Sequence, residues 1–154
     1  MVDLNRKLLL EQIDKKLQKY TVLKETDIPA KGWIHTIRTA LNMSLAQLGK
    51  KLNITPQSVK EIESREQNKS LTLKGLIEVA GILNLRFVYG FVPKDSSLEK
   101  MIEERALKVA REIVMRTSHT MSLEDQENLD ERIQKAIKNR AYKIKEEMPR
   151  FLWD

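Results

Sequence analysis

The stretch from Ser44 to Glu63 constrains the fold most, because it starts, stops and restarts a helix within twenty residues. Ser44 with Gln47 three positions later spells a capping box, which opens a short helix. Asn53 tolerates the left-handed backbone conformation that closes it. Thr55 is a good N-cap and Pro56 a good first residue for the next helix. Ala46, Leu48, Leu52, Val59 and Ile62 supply the small and apolar positions that pack two short helices together, and Gly49 is small where they approach. The second helix of the pair exposes Pro56, Gln57, Lys60 and Glu61.

The flanking sequence reads as more helix. Residues 32–41 form one, with Trp33, Ile37 and Leu41 on a common face, broken at Asn42-Met43. Residues 72–83 form another, with an apolar stripe of Leu73, Leu76, Ile77 and Ala80. Ahead of them, Leu4, Leu8, Ile13, Leu17 and Tyr20 mark an amphipathic helix over residues 3–20, followed by a linker containing Asp27-Ile28-Pro29. Residues 84–93 change period: Phe87, Tyr89 and Phe91 alternate with Arg86, Val88, Gly90 and Val92, a strand signature. A lone strand leaves its backbone groups unsatisfied. The same strand of a second subunit is the economical partner, with Phe87, Val88, Tyr89 and Phe91 as the dimer element; an extended tail packed on the core is the other reading. Two longer helices follow. One runs from Ser96 or Ser97 to Arg116, with Leu98, Ile102, Ala106, Val109 and Ile113 inward. The other runs from Ser122 to Glu147, with Leu129, Ile133, Ile137, Ile144 and Met148 on its face. Pro149 stops it, and Phe151-Leu152-Trp153 forms an apolar tail. The expected fold is therefore mainly α. Residues 1–31 are an N-terminal helix and linker, 32–83 the short-helix domain, 84–93 a short β-strand and 94–154 a C-terminal helical region.

Charge is distributed unevenly. Residues 32–93 carry eight basic and four acidic residues, net +4, whereas residues 94–154 carry thirteen of each, net zero. A polyanion is expected to meet the first 93 residues. With 41% hydrophobic and 32% charged residues the chain has the profile of a globular protein rather than a disordered tail. The absence of cysteine excludes disulfides, thiolate zinc sites and cysteine nucleophiles, and fits a cytoplasmic setting. No apolar run approaches a membrane span, and no cofactor is expected.

Residues 32–83 resemble the lambda-repressor/Cro-like (XRE) helix-turn-helix family, through their five-helix rhythm, the small-residue packing and the Ile62-Glu63-Ser64-Arg65-Glu66 ending of the second helix. The resemblance implies a DNA-binding regulator whose second helix enters the major groove. Gln57 would then contact adenine, Lys60 guanine or a phosphate, and Glu61 a cytosine amine, unless it pairs with Lys60. Thr55, Pro56 and Ser58 lie at the same helix start. Ser44, Gln47, Lys50, Asn68, Lys69 and Ser70 are candidate phosphate contacts. The resemblance also implies that Arg38 and Glu63 form a structural ion pair rather than read bases. The expected partner is a near-palindromic double-stranded DNA site, bound by a homodimer.

A narrower resemblance, to the mobile mystery protein A family, is carried by four pieces. These are Ser64-Arg65-Glu66 with Leu71-Thr72-Leu73; Phe87 to Pro93; Ser97-Leu98-Glu99 with Arg105-Ala106; and His119 to Gln126. It implies a repressor encoded beside a Fic-domain protein, and so the antitoxin half of a toxin–antitoxin pair. A protein-interaction module that neutralises a partner through the C-terminal region stays open as the alternative. His119, Glu124 and Asp125 are read as loop and helix cap rather than a metal or acid–base cluster. No catalytic motif is present, so no enzyme is expected.

Overall fold

The computed structural model describes residues 2–118 and 126–154. The chain divides into two compact units, Glu25–Gly90 and Met1–Lys24 with Phe91–Asp154.

The Glu25–Gly90 unit holds four short helices: α2 (Trp33–Ala40), α3 (Leu45–Leu52), α4 (Pro56–Gln67) and α5 (Leu73–Ile82). Each of the last three opens on a hydroxyl cap: Ser44, Thr55 and Thr72 accept from the amides of Gln47, Ser58 and Gly75. Such caps contribute about 1 kcal/mol each. The helices end at asparagines in left-handed conformation, Asn42, Asn53 and Asn84, or just before Lys69 in the same conformation. The core gathers Ile34, Leu48, Val59 and Val79, with Met43, Leu45, Leu52, Ile62, Leu71, Leu76 and Leu83 packed around them. Some expected faces are rotated. On α2 the buried residue is Ile34, while Trp33 and Leu41 are exposed. On α5 it is Val79, while Leu73 and Ile77 are exposed. Ala46 is exposed as well. In each case a helix of two or three turns has apolar residues on more than one side, so periodicity alone does not choose among them.

The five-helix rhythm is not completed. After α5 the chain has no regular secondary structure through residues 85–93, and no strand is present among the described residues. The β-strand expected over residues 84–93 is thus not found. The alternation is real, but a strand is defined by its ladder, and among the described residues none makes a backbone hydrogen bond with residues 86–92.

The second unit is built on α6 (Leu98–Ser118) and α7 (Gln126–Glu147), joined by α1 (Leu4–Gln18). Its core is Ile102, Ala106, Val109, Ala110, Ile137, Ile144 and Leu152. Leu152, fully buried in a closing 3-10 turn, docks the C-terminal tail, and Arg105 donates to its carbonyl at 2.6 Å and to the Asp154 carbonyl. Helix α1 turns Leu10 to this core, whereas Leu4, Leu8 and Ile13 of its expected apolar face are exposed. Asp14 of α1 caps α6: its carboxylate accepts from the amides of Leu98 at 2.8 Å and Glu99 at 3.1 Å. His119, Glu124 and Asp125, and the expected α7 start at Ser122, lie outside the described residues.

Candidate nucleic-acid interface

The geometry of α3 and α4 follows from the turn between them. Asn53 closes α3 at φ 58°, and the amide of Ile54 reaches back to the carbonyl of Gly49 at 2.9 Å. That return brings the Ile54 carbonyl within 2.7 Å of where a Cβ on Gly49 would stand. Only glycine fits there without moving backbone. The hydroxyls of Thr55 and Ser58 sit 2.9 Å apart and the Thr55 oxygen accepts from the Ser58 amide at 3.1 Å, so both are engaged in starting α4; Ser58 is half-buried.

Helix α4 then has two faces of opposite use. Gln57, Lys60, Glu61 and Ser64 recur at helical spacing and are all exposed. Glu63 and Glu66 lie on the far edge and hold α2. Glu63 is 7% exposed and accepts from Arg38, Nε to Oε1 at 2.5 Å and Nη2 to Oε2 at 3.2 Å. His35 Nδ1 stands 3.0 Å from the same Oε2. Arg38 also donates to the Met43 carbonyl at 2.8 Å, tying the α2–α3 turn to the pair. Burial pushes the Glu63 carboxyl up, but hydrogen bonds from Arg38 and His35, and their charges, outweigh it and hold the group below the usual carboxylate range.

Glu66 performs a second service. Helix α2 begins after Gly32, which has no side chain to cap it. The Glu66 carboxylate takes that place, accepting from the amides of Trp33 at 2.5 Å and Ile34 at 3.0 Å. Gly32 is at φ 85°, and a Cβ there would lie 3.0 Å from the Glu66 carboxyl carbon. Two carboxylates one turn apart on α4 therefore grip α2 at its start and middle.

Of the other expected contacts, Ser44 and Gln47 form the complete capping box, with the Ser44 amide donating to Gln47 Oε1 at 2.8 Å and the Gln47 amide to Ser44 Oγ at 3.1 Å. Lys50 is exposed in the last turn of α3. Asn68, Lys69 and Ser70 are all exposed in the turn after α4, where Asn68 Oδ1 accepts from the Ser70 amide at 3.1 Å. Glu61 pairs with Arg65 one turn on, at 4.0 Å, rather than with Lys60. Ser64 and Arg65 are additions to the candidate set. Extending the Gln57–Lys60–Glu61 stripe by one helical turn reaches both. Among the described residues no group of three or more acidic or histidine side chains is arranged to hold a metal ion, and no helix is long and apolar enough to cross a membrane.

Residues 34–89 match the family model HTH_3, helix-turn-helix. That segment, little more than a third of the chain, covers α2–α5 and most of the irregular stretch after them. No curated protein and no solved structure matches the chain.

Proposed function

With a helix-turn-helix domain of the DNA-binding, XRE type at residues 34–89 as premise, we propose that this chain is a sequence-specific regulator that reads the major groove of double-stranded DNA with the outer stripe of α4. The observation that supports this reading best is the division of α4 into a clamped edge and an open one. Glu63 and Glu66 anchor the helix to α2, so Gln57, Lys60, Glu61 and Ser64 are presented on a fixed support. Gln57 contacts adenine, Lys60 guanine or phosphate, and Glu61 accepts from cytosine while restraining Arg65. Ser44, Gln47 and Lys50 on one side, and Asn68, Lys69 and Ser70 on the other, meet the phosphates, with Thr55, Pro56 and Ser58 setting the entry of α4.

In this reading the regulator is a homodimer on a near-palindromic site. Its two reading helices lie about 34 Å apart, one turn of the duplex. Phe87, Val88, Tyr89 and Phe91 belong to the dimer element. Its role as repressor, and as antitoxin for a Fic-domain protein, follows from the mobile mystery protein A resemblance. The exposed Phe151 and Trp153 of the C-terminal tail offer an apolar surface to such a partner. Co-purification of the partner with the full chain, lost in the double variant Phe151→Ala/Trp153→Ala that leaves the buried Leu152 in place, checks that role.

The DNA reading is tested by selecting bound sequences from random duplexes at moderate salt. The expected result is an inverted repeat with half-sites one helical turn apart. Binding without any sequence preference contradicts it.

A further inference from the structure

The net zero charge of residues 94–154 conceals a segregation. Residues 132–145 carry six basic residues and no acidic one, whereas the rest of the region carries seven basic and thirteen acidic. All six basic residues belong to α7. The helix turns Ile137 and Ile144 into the core of its unit. At 3.6 residues per turn, Arg132, Lys135 and Lys143 stand on the opposite side, with Lys138 and Arg140 flanking them. All five are exposed. Lys145, half-buried, is committed to α6, where it pairs with Glu99 at 3.5 Å and Glu103 at 3.7 Å. Among the described residues no carboxylate lies within salt-bridge distance of the other five.

A solvated helix face normally interleaves its signs, as α6 does with Glu99-Lys100, Glu104-Arg105 and Arg111-Glu112. On α7 like charges stand one turn apart instead: Arg132 with Lys135, Lys135 with Lys138, and Arg140 with Lys143. Such pairs weaken a helix. The acids that could offset them come only at the ends, Glu131 and Glu146-Glu147, and Glu146 is taken by Lys7 of α1 at 3.2 Å. The helix therefore carries a repulsion that nothing on its own surface relieves, and a dense external anion would relieve it. The stripe from Arg132 to Lys143 is about 17 Å long. A DNA duplex presents about ten phosphates over that length. Tyr142, 67% exposed, is the one aromatic residue on this face, too few for the stacking ladder that binds single strands. The face also lacks the large aliphatic residues with which an amphipathic helix enters a lipid surface.

We propose that the outer face of α7 is a second, sequence-independent contact of this chain with duplex DNA. Arg132, Lys135, Lys138, Arg140 and Lys143 meet phosphates and read no bases. The exposed Asn139 and Tyr142 between them add hydrogen-bond donors to the same anions. This deepens the DNA-binding reading above and rests on it, but it concerns the salt-dependent part of the affinity rather than the preference for sequence.

The test is the affinity of the full chain for duplex DNA, measured from about 50 to 200 mM salt. It compares the unmodified chain, Lys135→Gln/Lys138→Gln/Lys143→Gln, and the control Lys100→Gln/Lys108→Gln/Arg116→Gln. The control removes as much charge from exposed sites on α6, each with an acid three or four positions away. Glutamine keeps the helix propensity of lysine, so helical content and melting should not fall in the α7 variant. Its salt slope is expected to drop by about 2–3, close to one for each lysine, with binding weakened alike on every sequence. The α6 control is expected to keep the slope of the unmodified chain. An unchanged slope in the α7 variant, or an equal drop in the control, overturns the proposal. So does α7-dependent binding to phosphatidylserine-containing vesicles with the DNA slope unchanged, which would make the face a membrane contact. An α7-dependent slope without any sequence preference would leave this contact standing and remove base reading by α4.

Discussion

The two units of this chain are specified in different ways. In Glu25–Gly90 the helices are short and mostly punctuated from within: hydroxyl caps three residues from the amides they satisfy, and asparagines in left-handed turns. In the other unit two helices of 21 and 22 residues share a long apolar seam, and their ends are held from far along the chain. Asp14 caps α6 across 84 residues and Arg105 fixes the tail across 47. The charge differs too, net +4 over residues 32–93 and zero over 94–154. Local punctuation fixes a small shape that presents the stripe of α4; long-range caps assemble a larger helical body.

Core deletions should test the separateness of the two units most strongly. Leu48 is fully buried in one cluster and Ile137 is 2% exposed in the other. Truncating either to alanine should cost about 2–5 kcal/mol. Hydrogen exchange should show protection lost mainly within the unit that carries the change. Uniform loss throughout the chain from either variant would break the comparison.

Glu63→Gln comes next, at about 3 kcal/mol near neutral pH, because it leaves Arg38 without its charged partner in a buried site. The sign with pH follows from the lowered carboxyl. The stability it contributes is present above the ordinary carboxylate range and is lost as pH falls through the lowered value. Denaturation of the two proteins should therefore converge as pH drops below about 4. A gap that widens on acidification would contradict the assignment.

Two glycines in one unit bear on local shape with opposite signs. Gly49→Ala puts a methyl 2.7 Å from the Ile54 carbonyl and should cost about 1–3 kcal/mol. A methyl on Gly81 would meet nothing within 4 Å, so Gly81→Ala should stabilise α5 by up to about 1 kcal/mol. Thermal melts of both separate these signs. Asp14→Ala, at about 1 kcal/mol, should fray the start of α6 and show as faster exchange of the Leu98 and Glu99 amides.

What could be read in the sequence follows the same division. The capping box at Ser44 and Gln47, the left-handed Asn53, the Thr55-Pro56 start and the tight Gly49 were all legible, because each depends on residues a few positions away. The Glu66 carboxylate on the Trp33 and Ile34 amides was not, since it lies 33 and 32 residues from the amides it satisfies. Nor was the working face of α1, where leucines occur on several sides and only packing selects Leu10. Residues 84–93 show the limit most clearly. Their alternation signals an extended chain, but a strand needs a second backbone, and periodicity does not say where that backbone comes from. The outer stripe of α4 was legible in its first turns, at Gln57, Lys60 and Glu61, and stopped one turn short of Ser64 and Arg65.

The central claim is that the outer stripe of α4 reads bases. It is tested most directly by repeating the selection from random duplex DNA with Gln57→Ala beside the unmodified chain. Gln57 is exposed and takes part in no described contact with the core, so the variant should fold normally. The account predicts that the inverted repeat survives but loses its preference at one symmetric position in each half-site, a change worth about 1–3 kcal/mol of discrimination. An identical motif at unchanged affinity would contradict it, and would move the reading surface off α4.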